Sequence, residues 1–325
     1  MTAHLEQSIK DRLGRLSKRS SATTAPQPCA LSTNSCSKCS GHKGVELLAD
    51  APTLAARICE CVKNCKLCGG SCLKPSSQMF PSPDAGSKST DSAQVDLQAV
   101  TSCASPSPRK IVGLINEAKI PSRYLQADLG RFDGFSPSER TQKTTIANWI
   151  KSLKPGQSSG LLLSGPVGIG KSWLLAAMAK HLALQGFSVR YADFFQLVHE
   201  LREAYASDQA DKSSLRPLQN VDVLIIDELG KGRNTEWELS VADSLISDRY
   251  NGNKCIIAAT NYPLRGGGVD HQQRQIDYLR AEGVTNQMNA VSFEPLAQRI
   301  GSRMFSRLSE NCICMEVSGS DRRRR

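Results

Sequence analysis

A glycine-rich segment near the middle of the chain constrains the fold more than any other part of the sequence. It follows the apolar run 161–163, precedes a helical pattern over 173–184, and reads Gly165-Pro166-Val167-Gly168-Ile169-Gly170-Lys171-Ser172. A strand, a G-x-x-x-x-G-K-[ST] loop and a helix in this order form a phosphate-binding loop, in which backbone N–H groups and the helix N-terminus surround phosphate oxygens. We therefore expect this loop to bind a nucleotide, with Lys171 at the β- and γ-phosphates and the Ser172 hydroxyl on Mg²⁺. A simple glycine turn with a solvated lysine would not need the flanking strand and helix.

A second motif, about fifty residues downstream, supports the nucleotide interpretation. The apolar run 223–226 is followed by Asp227 and Glu228. A short continuous apolar run is typical of a strand buried on both faces of a parallel sheet, and ligands bind at the carboxyl ends of such strands. Asp227 is therefore predicted to hold Mg²⁺ and Glu228 to act as the general base on the attacking water. ATP is the expected nucleotide, because no clear motif for GTP is present; as an alternative, the acidic pair could simply cap the next helix.

Alternating strand and helix patterns predict an α/β fold, a parallel sheet covered by helices on both faces. Strands are expected at about 160–164, 188–192, 222–227, 255–259 and 312–317, and helices at about 139–152, 171–185, 194–205, 237–250 and 295–309. Asp193 is a suitable N-cap for the helix that starts at Phe194.

Nine of the twelve cysteines lie before residue 104. Within this group, Cys36-x-x-Cys39 has the spacing with which two thiolates share one tetrahedral zinc, and Cys59-x-Cys61 is a tighter pair that can also chelate. These four cysteines are the predicted zinc ligands; an iron–sulfur or redox role and unliganded thiols are the alternatives. A possible second site would use Cys65, Cys68 and Cys72 together with Cys29, His42 or Cys103. The remaining cysteines, Cys255, Cys312 and Cys314, fall in apolar runs and are expected in the core.

Composition divides the chain into four segments. We expect an amphipathic helix (4–18) and linker in 1–34, a cysteine-rich zinc module in 35–73, a flexible Ser/Pro-rich linker in 74–110, and the ATPase domain in 111–325. The net charge of +10 over 325 residues suits an anionic partner such as nucleic acid. No apolar run approaches the roughly 20 residues of a membrane span, and no secretory signal is evident. A cytoplasmic protein that contacts no membrane is therefore expected.

The ordered series of motifs resembles the DnaC/DnaI helicase loaders and the related IstB transposition-helper ATPases, a clade of the AAA+ superfamily. The resemblance covers about 118–322 and rests on the motifs Ile120-Pro121-x-Arg123-Tyr124, the phosphate loop, Ile225-Ile226-Asp227-Glu228-Leu229-Gly230, Asp248-Arg249-Tyr250, Thr260-Asn261, Arg299-Ile300-Gly301-Ser302-Arg303 and Gly319-Ser320-Asp321-Arg322. The four predicted zinc ligands match the N-terminal cysteine module of DnaI-like loaders. The stretch 262–293 is longer than the family pattern, and neither its role nor that of the basic end 322–325 follows from the resemblance.

The resemblance implies an AAA+ fold and roles for further residues. Asn261 would position the attacking water and sense the γ-phosphate, and Arg322 would be a second sensor that touches the nucleotide. Arg303, or alternatively Arg299, would be the arginine finger that enters a neighbouring subunit's site. Because their spacing is i, i+4, both arginines are expected on one face of a helix. An arginine supplied in trans implies an ATP-dependent homo-oligomer.

The expected function is that of an ATP-hydrolysing protein that loads the replicative helicase onto single-stranded DNA, with ATP, Mg²⁺ and Zn²⁺ as cofactors. The alternative is an IstB-like helper ATPase of a transposase, which acts on duplex DNA. A third hypothesis, a zinc-bearing adaptor without enzymatic activity, is disfavoured by the intact Lys171, Asp227 and Glu228.

Overall fold

The computed structural model describes residues 36–40, 42–49, 51–64, 71, 73–75, 100–102, 106–132, 137–206, 216–232, 235–264, 294–319 and 321–322. The predicted helix over 4–18, the proposed second cysteine group, most of the stretch 262–293 and the end 323–325 lie outside these residues. The predicted segment boundaries remain predictions.

Nine strands lie in the described part of the chain. They are β1 (Val45–Leu48), β2 (Ala55–Ile58), β3 (Leu73–Pro75), β4 (Val100–Ser102), β5 (Gly160–Ser164), β6 (Val189–Asp193), β7 (Val223–Asp227), β8 (Cys255–Thr260) and β9 (Cys312–Glu316). The last five form one parallel sheet in the order β6-β7-β8-β5-β9, and the first four form two antiparallel pairs, β1-β2 and β3-β4. The five sheet strands match the five predicted strands to within one residue at either end.

Eight α-helices are described. They are α1 (Pro108–Ala118), α2 (Pro137–Ser152), α3 (Lys171–Gln185), α4 (Phe194–Ala206), α5 (Arg216–Asn220), α6 (Glu236–Asn251), α7 (Leu296–Ile300) and α8 (Ser302–Asn311). Asp193 caps α4 as expected, since its Oδ1 accepts the Gln196 N–H at 3.0 Å. Among the described helices, none combines the length and the apolar character that a membrane crossing needs.

The sheet has an apolar core on each face, as its strand patterns predict. Leu161 and Leu163 of β5 belong to the core that α1, α2 and α3 cover, whereas Leu162 belongs to the core that α4, α6, α7 and α8 cover. Successive strand residues point to opposite faces, so a strand that is apolar throughout must be covered twice. The α/β fold with helices on both faces is therefore confirmed.

The predicted last helix, 295–309, is wrong in one respect: it is two helices. Gly301 separates α7 from α8 with φ 87° and ψ 145°, a backbone conformation that a helix interior does not allow. Arg299 and Arg303 consequently lie on different helices, and the expectation that they share one helix face is incorrect. The core prediction is also wrong for Cys314, which is exposed on the edge strand β9, while Cys255 and Cys312 are buried.

The β1-β2 hairpin packs directly on the core beside the parallel sheet. Val45, Leu54 and Ala56 are buried in the same core as α1 and α3. Polar bonds add to this contact: the Ala56 N–H donates to Asn116 Oδ1 of α1 at 2.7 Å, and Lys43 Nζ donates to the Leu184 carbonyl at the end of α3 at 3.0 Å. The hairpin and the helix of the phosphate loop therefore share one hydrophobic core.

Arg249 of α6 is a buried cation, and its bonds within the described part of the chain all go to backbone carbonyls. Its side chain is 0% exposed, and its guanidinium donates to five carbonyl oxygens, those of Leu218, Gln219, Val221, Asp222 and Cys255, at 2.6–3.2 Å. Burial lowers its pKa to about 10. The contacts join the end of α5 to the starts of β7 and β8, which explains why an arginine stands in the Asp248-Arg249-Tyr250 motif.

Replacing Arg249 by Met should leave these carbonyls buried without donors and reduce the free energy of unfolding by about 3 kcal/mol or more. Arg216→Met, which removes an exposed arginine of α5, is the matched control. It should change the free energy of unfolding by less than about 0.5 kcal/mol. Urea denaturation followed by circular dichroism measures both. Equal stability of the two variants would contradict a structural role for Arg249.

Candidate functional site

Four strands of the sheet deliver the predicted nucleotide-site residues to one edge. The carboxyl ends of β5, β7, β8 and β9 lead into the phosphate loop, Asp227, Asn261 and Arg322 respectively. These residues line a single cavity of about 430 Å³. Parallel strands have their carboxyl ends at the same edge of a sheet, which is where open α/β sheets bind ligands.

The phosphate loop adopts a conformation that requires glycine. Gly168 and Gly170 have φ values of 89° and 97°. A Cβ on Gly168 would lie 2.4 Å from Oδ1 of Asp321, so a side chain does not fit there. Gly170 stands at the N-terminus of α3 without a capping side chain, and the first turn of α3 lines the cavity. The positive end of the helix therefore faces the space where phosphates are expected.

Lys171 lies over the loop. It is 7% exposed, and its ammonium donates to the Gly165 and Pro166 carbonyls, each at 2.7 Å. This keeps a positive charge at the wall of the cavity beside the helix N-terminus.

Asp227 is a buried carboxylate between two hydroxyl groups. Its Oδ2 accepts a hydrogen bond from the Tyr191 hydroxyl at 2.6 Å, and the Ser172 hydroxyl also donates to this carboxylate. Burial raises the pKa of Asp227, and the two hydroxyl groups partly oppose this effect. Ser172 and Asp227 thus bring together a hydroxyl and a carboxylate, which are oxygen ligands of the kind that Mg²⁺ prefers.

Glu228 follows β7 in the left-handed backbone region, with φ 54°. This turn directs its half-buried carboxylate to the same cavity, where it forms an ion pair with Lys231. The pair raises the pKa of Lys231. The unusual backbone is stabilised nearby, because the Leu229 N–H donates to the Ala259 carbonyl of β8 at 2.8 Å.

Asn261 and Arg322 also line the cavity. Thr260 fixes the turn before Asn261, since its hydroxyl donates to the Leu229 carbonyl at 2.8 Å. Arg322 is held by three contacts: its N–H donates to the Gly168 carbonyl at 3.0 Å, its guanidinium lies 4.0 Å from the centre of the Phe132 ring, and its Nη2 lies 3.2 Å from Glu139 Oε1. The segment after β9 is therefore tied to the phosphate loop.

The two candidate arginine fingers differ in their surroundings. Arg299 is half-buried: it donates to the Gly230 carbonyl at 2.9 Å and to the Gly232 carbonyl, and it lies 5.2 Å from the Tyr262 ring centre. Arg303 is exposed, and no partner for it is found among the described residues. Neither arginine lines the cavity of its own chain.

The residues of the cavity fit a nucleotide with Mg²⁺. A Cβ would not fit at Gly168 of the loop, the helix N-terminus faces the cavity, and Lys171 supplies a cation. The hydroxyl and carboxylate ligands for a hard cation lie next to each other. Two further lining residues, Phe132 and Trp173, were not predicted from the sequence, and their ring centres lie 5.9 Å apart. Tyr191, which bonds to Asp227 from outside this lining, was not predicted either. Their role depends on contacts across the fold, for which the local sequence holds no signal.

The four predicted zinc ligands come together at the base of the β1-β2 hairpin. All four sulfur atoms of Cys36, Cys39, Cys59 and Cys61 lie within 4.8 Å of one another. The Sγ atoms of Cys36 and Cys59 are 3.7 Å apart and those of Cys39 and Cys61 are 3.8 Å apart. Four thiolates at the usual Zn–S distance of about 2.3 Å in a tetrahedron have sulfurs about 3.8 Å apart. Two of the six sulfur pairs thus have the separation expected in a zinc tetrahedron, and the cluster fits one zinc ion.

Backbone amides prepare one of these thiols for a metal. The N–H groups of Cys39 and Lys38 lower the pKa of Cys36 to about 7, whereas burial raises the pKa of Cys61. The turn that holds the first pair has left-handed residues at Ser40 and Lys43. Thiolates bind zinc, so a turn that directs amides at a sulfur favours binding.

The profile of the family described as IstB-like ATP binding protein matches residues 97–272, more than half of the chain. The chain belongs to this family. The match includes the phosphate loop, Asp227, Glu228 and Asn261, so the expected relationship to the DnaC/IstB clade of AAA+ ATPases is confirmed.

Relatives include both insertion-sequence proteins and helicase loaders. The chain is 31% identical to the ATP-binding protein of insertion sequence IS1162 from Pseudomonas fluorescens, over 49% of this chain and 67% of that protein. It is 29% identical to the replicative helicase loader DnaI of Bacillus subtilis over 37% of this chain and 40% of that protein. It is 27% identical to the replicative helicase loader DnaC of Escherichia coli K12 over 33% of this chain and 44% of that protein. The chain thus spans less than half the length of these two loaders.

Among solved structures, the DnaC helicase loader aligns with a TM-score of 0.48 and 24% identity, covering 60% of this chain and 99% of that one. The DnaI structure aligns with a TM-score of 0.45 and 21% identity, covering 62% of this chain and 94% of that one.

Replacing Cys39 by Ser should remove one of four sulfur ligands and reduce the zinc content by about one equivalent per chain relative to the wild type. The melting temperature should also fall, because the site anchors the hairpin that packs on α1. Cys314→Ser, at an exposed cysteine of β9, is the control and should keep the full zinc content. Inductively coupled plasma mass spectrometry of protein purified without chelator measures the zinc content of both variants. Equal zinc in both variants would show that the cluster does not hold the metal.

Proposed function

We propose that this protein is a helicase loader: it binds and hydrolyses ATP, assembles with copies of itself and delivers the replicative helicase onto single-stranded DNA. The observation that carries this proposal is the presence of a four-cysteine cluster of zinc geometry in the same chain as the complete phosphate site. The cysteine pattern resembles that of DnaI-like loaders, and DnaI and DnaC, the loaders named among the relatives, support the role.

In the proposed mechanism, the phosphate loop and Lys171 bind the phosphates, and Ser172 and Asp227 are the residues that would hold Mg²⁺. The metal would supply charge neutralisation between the phosphates. Tyr191 orients Asp227 through its 2.6 Å hydrogen bond. Glu228 takes a proton from the attacking water, which Asn261 positions, and Arg322 contacts the nucleotide from the segment after β9. To act as a base Glu228 must exchange its ion pair with Lys231 for a bond to water.

Arg303 is the arginine that we propose to act in trans. Its exposure leaves it available to a neighbouring subunit, while Arg299 is engaged in bonds within its own chain that shape the turn 230–232. A guanidinium aimed at the γ-phosphate stabilises the charge of the transition state, and its supply by a neighbour makes hydrolysis depend on assembly.

Arg303→Ala should bind ATP normally and hydrolyse it about 10³-fold more slowly. Lys171→Ala should fail to bind ATP tightly. A mixture of the two inactive variants should regain activity, because one subunit supplies the intact phosphate loop and the other supplies Arg303. The mixture of Arg299→Ala with Lys171→Ala is the control and should stay inactive, since Arg299 shapes the site of its own chain. Steady-state phosphate release measures the three variants and the two mixtures; an inactive mixture of Arg303→Ala with Lys171→Ala would refute the role in trans.

The second candidate function is that of a transposase-helper ATPase on duplex DNA. It is favoured by the family match and by the likeness to the IS1162 protein. The expected cytoplasmic location is a prediction that both functions share.

Co-elution with the replicative helicase of the source organism tests the loader function. We expect a complex on gel filtration that depends on the nucleotide (ATP, ADP or none) and that is weakened by Cys39→Ser but not by Cys314→Ser. Absence of a complex in every nucleotide state, together with ATP-dependent assembly on duplex DNA, would establish the alternative.

A further inference from the structure

Glu139, in the first turn of α2, is a buried carboxylate next to the nucleotide cavity. Its side chain is 4% exposed, and its Oε1 accepts a hydrogen bond from Nη2 of Arg322 at 3.2 Å. Arg322 lines the cavity, whereas Glu139 is not among the described residues of the lining. The carboxylate therefore contacts the arginine from outside the space where a nucleotide is expected.

The first turns of α2 also bind the backbone that follows β9. Gln142 Nε2 donates to the Glu316 carbonyl at 3.0 Å and to the Ser318 hydroxyl at 3.3 Å. Gly319 passes so close to α2 that a Cβ on this glycine would lie 2.4 Å from Oε1 of Glu139. The segment that leads from the sheet to the cavity is thus fixed against α2 before it reaches the phosphate loop.

Arg322 is fixed on its other sides by the phosphate loop and an aromatic ring. Its backbone N–H donates to the Gly168 carbonyl at 3.0 Å, and a Cβ on Gly170 would lie 3.3 Å from its Cδ. Its guanidinium carbon lies 4.0 Å from the centre of the Phe132 ring. A long side chain loses rotamer freedom when a ligand orders it, and a side chain that is already ordered avoids this loss.

We propose that Glu139 is a positioning residue for the nucleotide site: its carboxylate holds the guanidinium of Arg322 at the cavity wall before the nucleotide enters. The inference rests on the proposed contact of Arg322 with the nucleotide. A carboxylate gives a guanidinium a directional, charge-assisted hydrogen bond, which the face of a ring does not supply. Because the pair is largely buried, removal of the carboxylate leaves the guanidinium without compensation, and it can then turn away from the cavity.

Three substitutions separate the position of the carboxylate from its charge. Glu139→Ala removes the group, Glu139→Asp keeps the charge but is one methylene shorter, and Glu139→Gln loses the charge but keeps an oxygen at the same reach. Binding of a fluorescent ATP analogue in the presence of Mg²⁺ is followed by anisotropy. We expect Glu139→Ala and Glu139→Asp to bind about tenfold more weakly than the wild type, and Glu139→Gln to stay within about threefold of it.

The same measurement in an Arg322→Ala background tests whether Glu139 acts through the arginine. Arg322→Ala alone should bind the analogue weakly. Adding Glu139→Ala should cause no further loss, because the group that the carboxylate positions is already absent.

Glu238 offers a matched control. It is also a buried carboxylate in the first turn of a helix, α6, and its Oε1 accepts a hydrogen bond from Nη2 of Arg202 at 3.0 Å. Neither residue of this pair lines the nucleotide cavity. Glu238→Ala should therefore lower the melting temperature, as Glu139→Ala should, but leave binding of the ATP analogue unchanged.

Wild-type affinity in Glu139→Ala, together with weak binding by Arg322→Ala, would overturn the positioning role and leave the proposed nucleotide contact intact. Tighter binding by Glu139→Ala, an equal loss with and without Arg322, or better binding by Glu139→Asp than by Glu139→Gln would also overturn it. If Glu139→Ala does not fold, Glu139→Asp decides by the same comparisons. Failure of the wild type to bind the analogue would refute the proposed function as well.

Discussion

The pairing of β8 between β5 and β7 is the constraint on which the site depends. Leu161 of β5 pairs with Ile257 of β8, which in turn pairs with Ile225 of β7. Because the three strands are parallel and in this register, the phosphate loop, Asn261 and Asp227 end at one edge although nearly one hundred residues separate the first from the second. A shift of β8 by one residue would turn its side chains to the opposite core and move Asn261 away from the phosphates.

The strands and the phosphate site were predictable because their signals are local. Continuous apolar runs such as 223–226 occur where both faces of a strand are covered, and the glycine spacing of the loop reflects space that side chains cannot occupy. The break at Gly301 was not predicted, since a single glycine within a helical pattern is compatible with a helix. Tyr191 and Phe132 were missed for a different reason: their partners, Asp227 and Arg322, are distant in the sequence.

The cysteine cluster was predicted from spacing, but its position relative to the ATPase was not. The sequence suggests a separate module followed by a linker, whereas the described residues place the hairpin against α1 in a shared core. The apolar side chains that make this contact, Val45, Leu54 and Ala56, are too few to form a core of their own. They find their partners on a surface that only the folded ATPase provides, so spacing rules for cysteines carry no information about it.

The two ends of helix α3 contact different predicted ligand sites. Its first turn faces the nucleotide cavity. In its last turn the Leu184 carbonyl accepts a hydrogen bond from the Lys43 ammonium, which belongs to the loop between the cysteine pairs. At a rise of about 1.5 Å per residue these ends are about 22 Å apart, and a helix between them behaves as a stiff rod. The cysteine cluster therefore lies near one end of α3 and the phosphate loop joins the other end, so a single rigid element connects the two predicted ligand sites.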